Sequence, residues 1–428
     1  MARHLLKNAR LICPAQNLDI EGHLLIEDGQ ILSVETGNPA DITADDIHDC
    51  GGDLLVPGLI DMRVQSADPG AEHLESLSSL LEAAQAGGIT QLVTQPGTDP
   101  VIDNAAMIDS LTLRASRLAG PNLFTTGALT KNQDCQHMAE LGMMAEAGGV
   151  AFSSGTQTIQ DSLLMRRVLS YAAMLDKPVM HHCADPYLTA DTEMHEGETS
   201  VRLGLRGVPA AAEQIILDRD LALVALTGAR YHAAHISTAA AVKSLRRAKE
   251  EGLAVTADTA PPYFLLNDMA LSGYESAFKF DPPLRSEEDR QAIIEALADG
   301  TIDIIASDHL PVNADEKMQP FALASHGASG LETLLPLSLN LYHNDQISLM
   351  RLVEALSLSP ANLLDLPGGM ISPGSPAHLT QINLDKGWIL DAQHFRSRTR
   401  ITPFNRQPVQ GQAVHIWVDG DKMDCVKG

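Results

Sequence analysis

Between residue 57 and about residue 310, short apolar runs alternate with longer amphipathic stretches, and this rhythm constrains the fold more than any other feature of the chain. Such alternation predicts βα units feeding one parallel sheet. Apolar runs at 90–94, 123–126, 150–153, 178–182, 231–235, 254–258 and 302–307 join an opening run after Pro57-Gly58 to make eight strands. Helical stretches fill the intervals at 75–86, 105–118, 161–175, 210–227, 238–251 and 287–297. Asn104 and Ser286 are good N-cap types, and Gly120, Gly228 and Gly252 stand where left-handed caps are expected. Eight units predict a closed (β/α)8 TIM-type barrel, with any chemistry at the C-terminal ends of its strands.

The two ends of the chain are built differently. Asp28-Gly29 and Asp419-Gly420 each separate two apolar runs, which is a hairpin signal. Neither end is long enough to bury a core alone, so they are expected to pack together. The expected division is therefore 1–56 for the first part of a small β-sandwich, 57–368 for the barrel and 369–428 for the second part of the sandwich.

Charge and cysteine usage narrow the setting. With 30 Lys plus Arg against 55 Asp plus Glu, the net charge of −25 repels phosphate backbones and anionic lipid, which argues against nucleic acid and membrane partners. The five cysteines are scattered and never spaced C-x-x-C, as expected of reduced thiols in a cytoplasm. Residues 1–10 are interrupted by charge too often for a signal-peptide core.

The opening barrel strand carries the first chemical clue. From Pro57 to Gly70 the chain runs through a turn, an apolar strand and a Pro-Gly stop, and strand alternation sets Asp61, Arg63 and Gln65 on one face against Ile60, Met62 and Val64. Further along stand Ser307-Asp308-His309-Leu310-Pro311, Asp281-Pro282-Pro283-Leu284-Arg285, and Gly327-Ala328-Ser329-Gly330-Leu331-Glu332-Thr333. Together these resemble the dihydroorotases of the cyclic amidohydrolase family, whose matching motifs read P-G-[FL]-[IV]-D-x-H-x-H-x-R-[ED]-P-G, [TS]-D-H-A-P, N-P-P-L-R and G-x-S-G-L-E-T.

The resemblance implies a two-metal site in which a bridging hydroxide attacks a ring amide and an aspartate carries the proton. His182 and His235 fall on two metal-binding histidines, and Asp308 on the acid/base. The other ligand positions read differently: the H-x-H pair falls on Arg63 and Gln65, and the bridging carboxylate on Ser154. Arginine cannot deprotonate to become a ligand, and an amide is a poor one. The family's contacts to the substrate acid group fall on Ala67, Gly97 and Val312. Residues 310–326 resemble a loop over the barrel mouth.

These substitutions lead to the expectation of an inactive homologue: a non-catalytic structural or regulatory partner of aspartate carbamoyltransferase in pyrimidine biosynthesis, with no cofactor, a vestigial Asp308 and a homodimeric state common in the family. The alternative is an active zinc-dependent cyclic amidohydrolase with one zinc at His182 and His235 and Asp308 as acid/base, acting on something other than dihydroorotate. Arg63 is expected to reach into the altered metal site and pair with Asp308, since a buried carboxylate without a cation is costly.

Overall fold

The computed structural model describes residues 3–37 and 42–426; residues 1–2, 38–41 and 427–428 of the two end segments lie outside the described residues. The chain opens with β1 (Arg3–Cys13), β2 (Leu18–Glu27), β3 (Gln30–Thr36), β4 (Asp46–Asp49) and β5 (Leu54–Pro57). Strand β1 runs antiparallel to β2, and its other edge lies parallel first to β4 and then to β5. Asp28 and Gly29 turn β2 into β3 with φ of 48° and 79°, the left-handed pair that a tight hairpin needs.

The barrel follows as β6 (Leu59–Val64), β7 (Ile89–Thr94), β8 (Asn122–Thr125), β9 (Gly127–Ala128), β10 (Phe152–Ser153) and β11 (Val179–His182). A short parallel ladder, β12 (Met194–His195) with β13 (Gly207–Val208), interrupts it before β14 (Tyr231–Ala234), β15 (Val255–Thr259) and β16 (Ile304–Ile305). Neighbouring barrel strands are parallel throughout. Thr126 bridges the break between β8 and β9 by donating both its N–H and its hydroxyl to the Thr94 carbonyl. The ring closes where Val64 pairs with His309 and the Gln65 N–H donates to the His309 carbonyl at 2.8 Å. Counting β8 and β9 as one interrupted strand gives the eight-stranded barrel that the rhythm predicts.

Helix starts follow the expected caps. The Asn104 side chain accepts from the Met107 N–H ahead of Ala105–Ala115, and Ser286 forms a capping box with Asp289 ahead of Glu287–Asp299. Gly228 ends Ala211–Thr227 in the left-handed conformation.

Strict alternation on β6 fails at one point. Ile60 and Met62 pack with Val93, Met180 and Ile304, but Val64 joins the larger cluster that includes the helices. The register with β7 shifts between Asp61 and Val64, and such an irregularity re-aims the side chains beyond it.

The chain then returns as β17 (Leu379–Ile389), β18 (Pro408–Val418) and β19 (Asp421–Asp424). Strand β17 lies antiparallel to β5, so both ends of the chain share one sheet beside the barrel, in the order β19-β18-β17-β5-β1-β2-β3. Among the described residues no helix is long and apolar enough to cross a membrane.

Candidate active site

Four strand ends deliver the polar groups of the barrel mouth: Arg63 from β6, His182 from β11, His235 after β14 and Asp308 after β16. His235 and Asp308 have left-handed backbones, φ 41° and 50°, which non-glycine residues rarely adopt and which the surrounding fold must enforce. At His235 the enforcement is visible. Its N–H donates to the Asp258 carboxylate, whose other oxygen lies 3.1 Å from His232 Nε2, and His232 Nδ1 bonds the Thr256 hydroxyl at 2.8 Å. Burial pushes the Asp258 acid up, but His232 outweighs it and the net shift is downward.

Arg63 does reach Asp308. Its Nε lies 3.3 Å from Oδ1, and its Nη2 donates to the Gly155 carbonyl at 3.2 Å. His235 Nδ1 lies 3.4 Å from the same Asp308 oxygen without hydrogen-bond alignment, and His182 Nε2 lies 3.8 Å from Asp281. The two imidazole rings stand edge to face with centroids 5.1 Å apart. Nitrogens Nδ1 of His182 and both Nδ1 and Nε2 of His235 are buried without a hydrogen-bond partner.

Burial lowers the pKa of both histidines; at His235 the Arg63 charge adds to it and the shift is large. Burial raises the Asp308 pKa against the opposing pull of Arg63. Burial thus favours the neutral form of both imidazoles and raises the proton affinity of the Asp308 carboxylate beside them, a set suited to ligation and proton carriage.

Ser154, Gln65 and Gly97 lie beside these groups in other roles. The Ser154 hydroxyl accepts from the His182 N–H at 3.0 Å and so orients that strand end. Gln65 donates its amide to the Gly97 carbonyl, and a Cβ placed at Gly97 would stand 3.0 Å from Gln65 Nε2. The altered metal position and the altered substrate position thus occupy one another's space. Val312 is buried, and Ala67 and Val312 offer no polar side chain. Residues 310–326 include a short helix, Ala314–Lys317, whose Lys317 Nζ donates to the carbonyls of Lys279, Ser325 and Gly327.

His182 and His235 with Asp308 offer two imidazoles and a carboxylate, the donor types of a zinc site, but their ligand atoms do not all lie within 4.8 Å of one another. A second ion is not provided for, because the Arg63 guanidinium stands at that side and the Gln65 amide is turned to Gly97. His181, Cys183 and Asp220 do cluster, with ligand atoms within 4.8 Å of one another. That cluster is saturated: His181 Nδ1 bonds Asp220 at 2.7 Å, His181 Nε2 accepts from the Ile159 N–H, and Cys183 meets the Tyr231 hydroxyl. Metal binding there would break bonds already made.

A model of the dihydro-orotase-like family matches residues 52–241. A dihydroorotase of Syntrophus aciditrophicus is 40% identical over 97% of this chain and 98% of its own length, and one of Syntrophotalea carbinolica is 42% identical over 97% of each. The chain belongs to the dihydroorotase family. The L-hydantoinase (dihydropyrimidinase) of Arthrobacter aurescens superimposes with a TM-score of 0.87 at 26% identity, covering 99% of this chain and 96% of that one. These neighbours are cyclic amidohydrolases on the same barrel.

The family assignment corrects one expectation. The reading of an inactive, non-catalytic partner of aspartate carbamoyltransferase is overturned by full-length relatives that are named dihydroorotase at 40–42% identity. The physical reason lies in the mouth of this dihydroorotase-family barrel. Reading ligand positions one at a time counted Arg63 as a loss, whereas it supplies a positive charge bonded to Asp308 beside two ligand-ready histidines. Sequence reasoning also passed over Asp258, which fixes His235. Its signal was a carboxylate at the C-terminal end of β15, where barrel chemistry gathers.

Proposed function

We propose that this chain is an active cyclic amidohydrolase that opens a ring amide, with dihydroorotate the first substrate to test. The observation that carries the reading is the set of unpartnered imidazole nitrogens on His182 and His235, with His235 Nδ1 3.4 Å from the Asp308 oxygen that Arg63 also engages. A single zinc that drew His182, His235 and Asp308 together would supply Lewis acidity and an acidified water. Asp308 takes the proton of the attacking water and returns it to the ring nitrogen as the C–N bond breaks, so water is divided between carbonyl carbon and nitrogen. His182 and His235 stay neutral throughout, consistent with the downward push of burial on both.

The absent acid-group contacts at Ala67, Gly97 and Val312 bear on affinity. Each ionic contact left unmade costs about 1.5–3 kcal/mol. Dihydroorotate is therefore expected to bind with a KM close to that of dihydrouracil, the same ring without the carboxylate.

Two measurements on the purified chain test the proposal: metal content, expected at about one zinc per chain, and ring opening of both substrates followed by loss of ring absorbance. No zinc together with no turnover of either ring would sink it. A cytoplasmic setting, supported by five free cysteines, homodimerisation and an association of this hydrolase with aspartate carbamoyltransferase remain separate proposals. Fractionation checks the first and sizing of the chain alone and of the mixture the other two.

A further inference from the structure

Arg63 has a donor to spare. Its Nε is engaged by Asp308 and its Nη2 by the Gly155 carbonyl, yet Nη1 has no partner although the side chain is only 4% exposed. A buried guanidinium N–H without an acceptor is unfavourable, so its persistence in the mouth points to a missing acceptor. Beside it lies a cavity of about 20 Å³ walled by Gln65, Gln95, Thr156, Asp308 and Leu310. That space admits one water-sized polar group, such as a single carbonyl oxygen projecting from a ring held outside it.

We propose that Arg63 is a catalytic residue whose Nη1 binds the carbonyl oxygen of the scissile ring amide. The inference rests on the cyclic amidohydrolase reading and adds the electrophile to it. As water oxygen bonds to the carbonyl carbon, negative charge gathers on the oxygen held at Nη1, while Asp308, fixed at Nε of the same planar group, accepts the water proton. When the carbonyl re-forms, the C–N bond breaks and that proton passes to the nitrogen. One guanidinium thereby sets the spacing between the developing oxyanion and the proton carrier. A fixed positive donor of this kind acts most strongly on charge that forms in the transition state.

The test compares the full-length chain with Arg63→Met and Arg63→Lys on dihydroorotate and dihydrouracil. Arg63→Met is expected to lower kcat roughly 100-fold or more on both rings, with KM changed less than about threefold. A variant that loses KM on dihydroorotate alone would make Arg63 an anchor for the acid group and overturn the proposal, as would an unchanged kcat. Arg63→Lys restores the charge without the fork and is expected to remain well below the parent.

Because Arg63→Met leaves Asp308 without its cation, Arg63→Met/Asp308→Asn is compared with Asp308→Asn for calorimetric binding of dihydrouracil. Binding at least about tenfold weaker in the double variant is expected from the loss of one charged donor. This arm reads Arg63 even if neither ring is turned over, in which case only the hydrolase reading fails. Equal affinity of the two variants, or no binding by the parent chain, would reject the role of Arg63.

Discussion

His181 and His182 are consecutive on β11, both buried, and their surroundings could hardly differ more. His181 has both ring nitrogens bonded, and its partner Asp220 accepts in addition from Tyr231 at 2.9 Å and from two nitrogens of Arg219. Burial raises the Asp220 acid, but His181 and Arg219 outweigh it and hold it low. His182 faces the mouth with a free Nδ1, a distant Asp281 and His235 edge-on. A histidine whose nitrogens are both in use is part of the frame, and one whose nitrogens are not is available to something else. Residue type and burial are the same in both; bond accounting separates them.

The contrast can be broken in order of expected effect. Asp308→Asn should lower kcat for ring opening by about 10²–10⁴-fold, read in a steady-state assay. Asp220→Ala should act in the opposite way. Removing one side of a buried pair costs about 3–5 kcal/mol, seen as an earlier urea midpoint, with kcat of the folded fraction kept. His182→Ala should cost only about 1–2 kcal/mol of stability while abolishing zinc retention in metal analysis of the purified protein. If His182→Ala destabilises as much as Asp220→Ala, the two histidines are not different in kind.

A last effect, on stability alone, concerns the segment between β17 and β18. Glu332 accepts from the Arg396 and Ser397 N–H groups, and burial pushes its carboxyl up to about 7 despite those bonds. Its folded pKa lies above the unfolded value of 4.5, so the stability it contributes is complete below pH 4.5 and is lost as pH rises through about 7. Over that window the chain should lose on the order of 1–3 kcal/mol that Glu332→Gln does not lose, measured by urea unfolding at a series of pH values.

The barrel was legible because its signals are local. The caps at Asn104 and Ser286, the Asp28-Gly29 turn and the strand rhythm each depend on residues within a few positions. In the mouth, Arg63 pairing with Asp308 could be inferred from charge balance once both were placed at strand ends. The Gln65–Gly97 contact could not, because it depends on an unusually close approach of two loops. Nor could the saturation of His181, whose partner lies on the helix Ala211–Thr227. Counting replaced ligands in a motif treats positions as independent, and the packed mouth shows that they are not.

Strand β5 lies between β1, made among the first residues, and β17, made among the last. A chain still emerging from the ribosome can complete its barrel strands while β5 waits with one edge unpaired. An unpaired edge of this kind invites association with other chains. A premature stop anywhere before residue 379 would leave that edge permanently open, so truncated products should be recovered as aggregates even when every barrel strand has been synthesised.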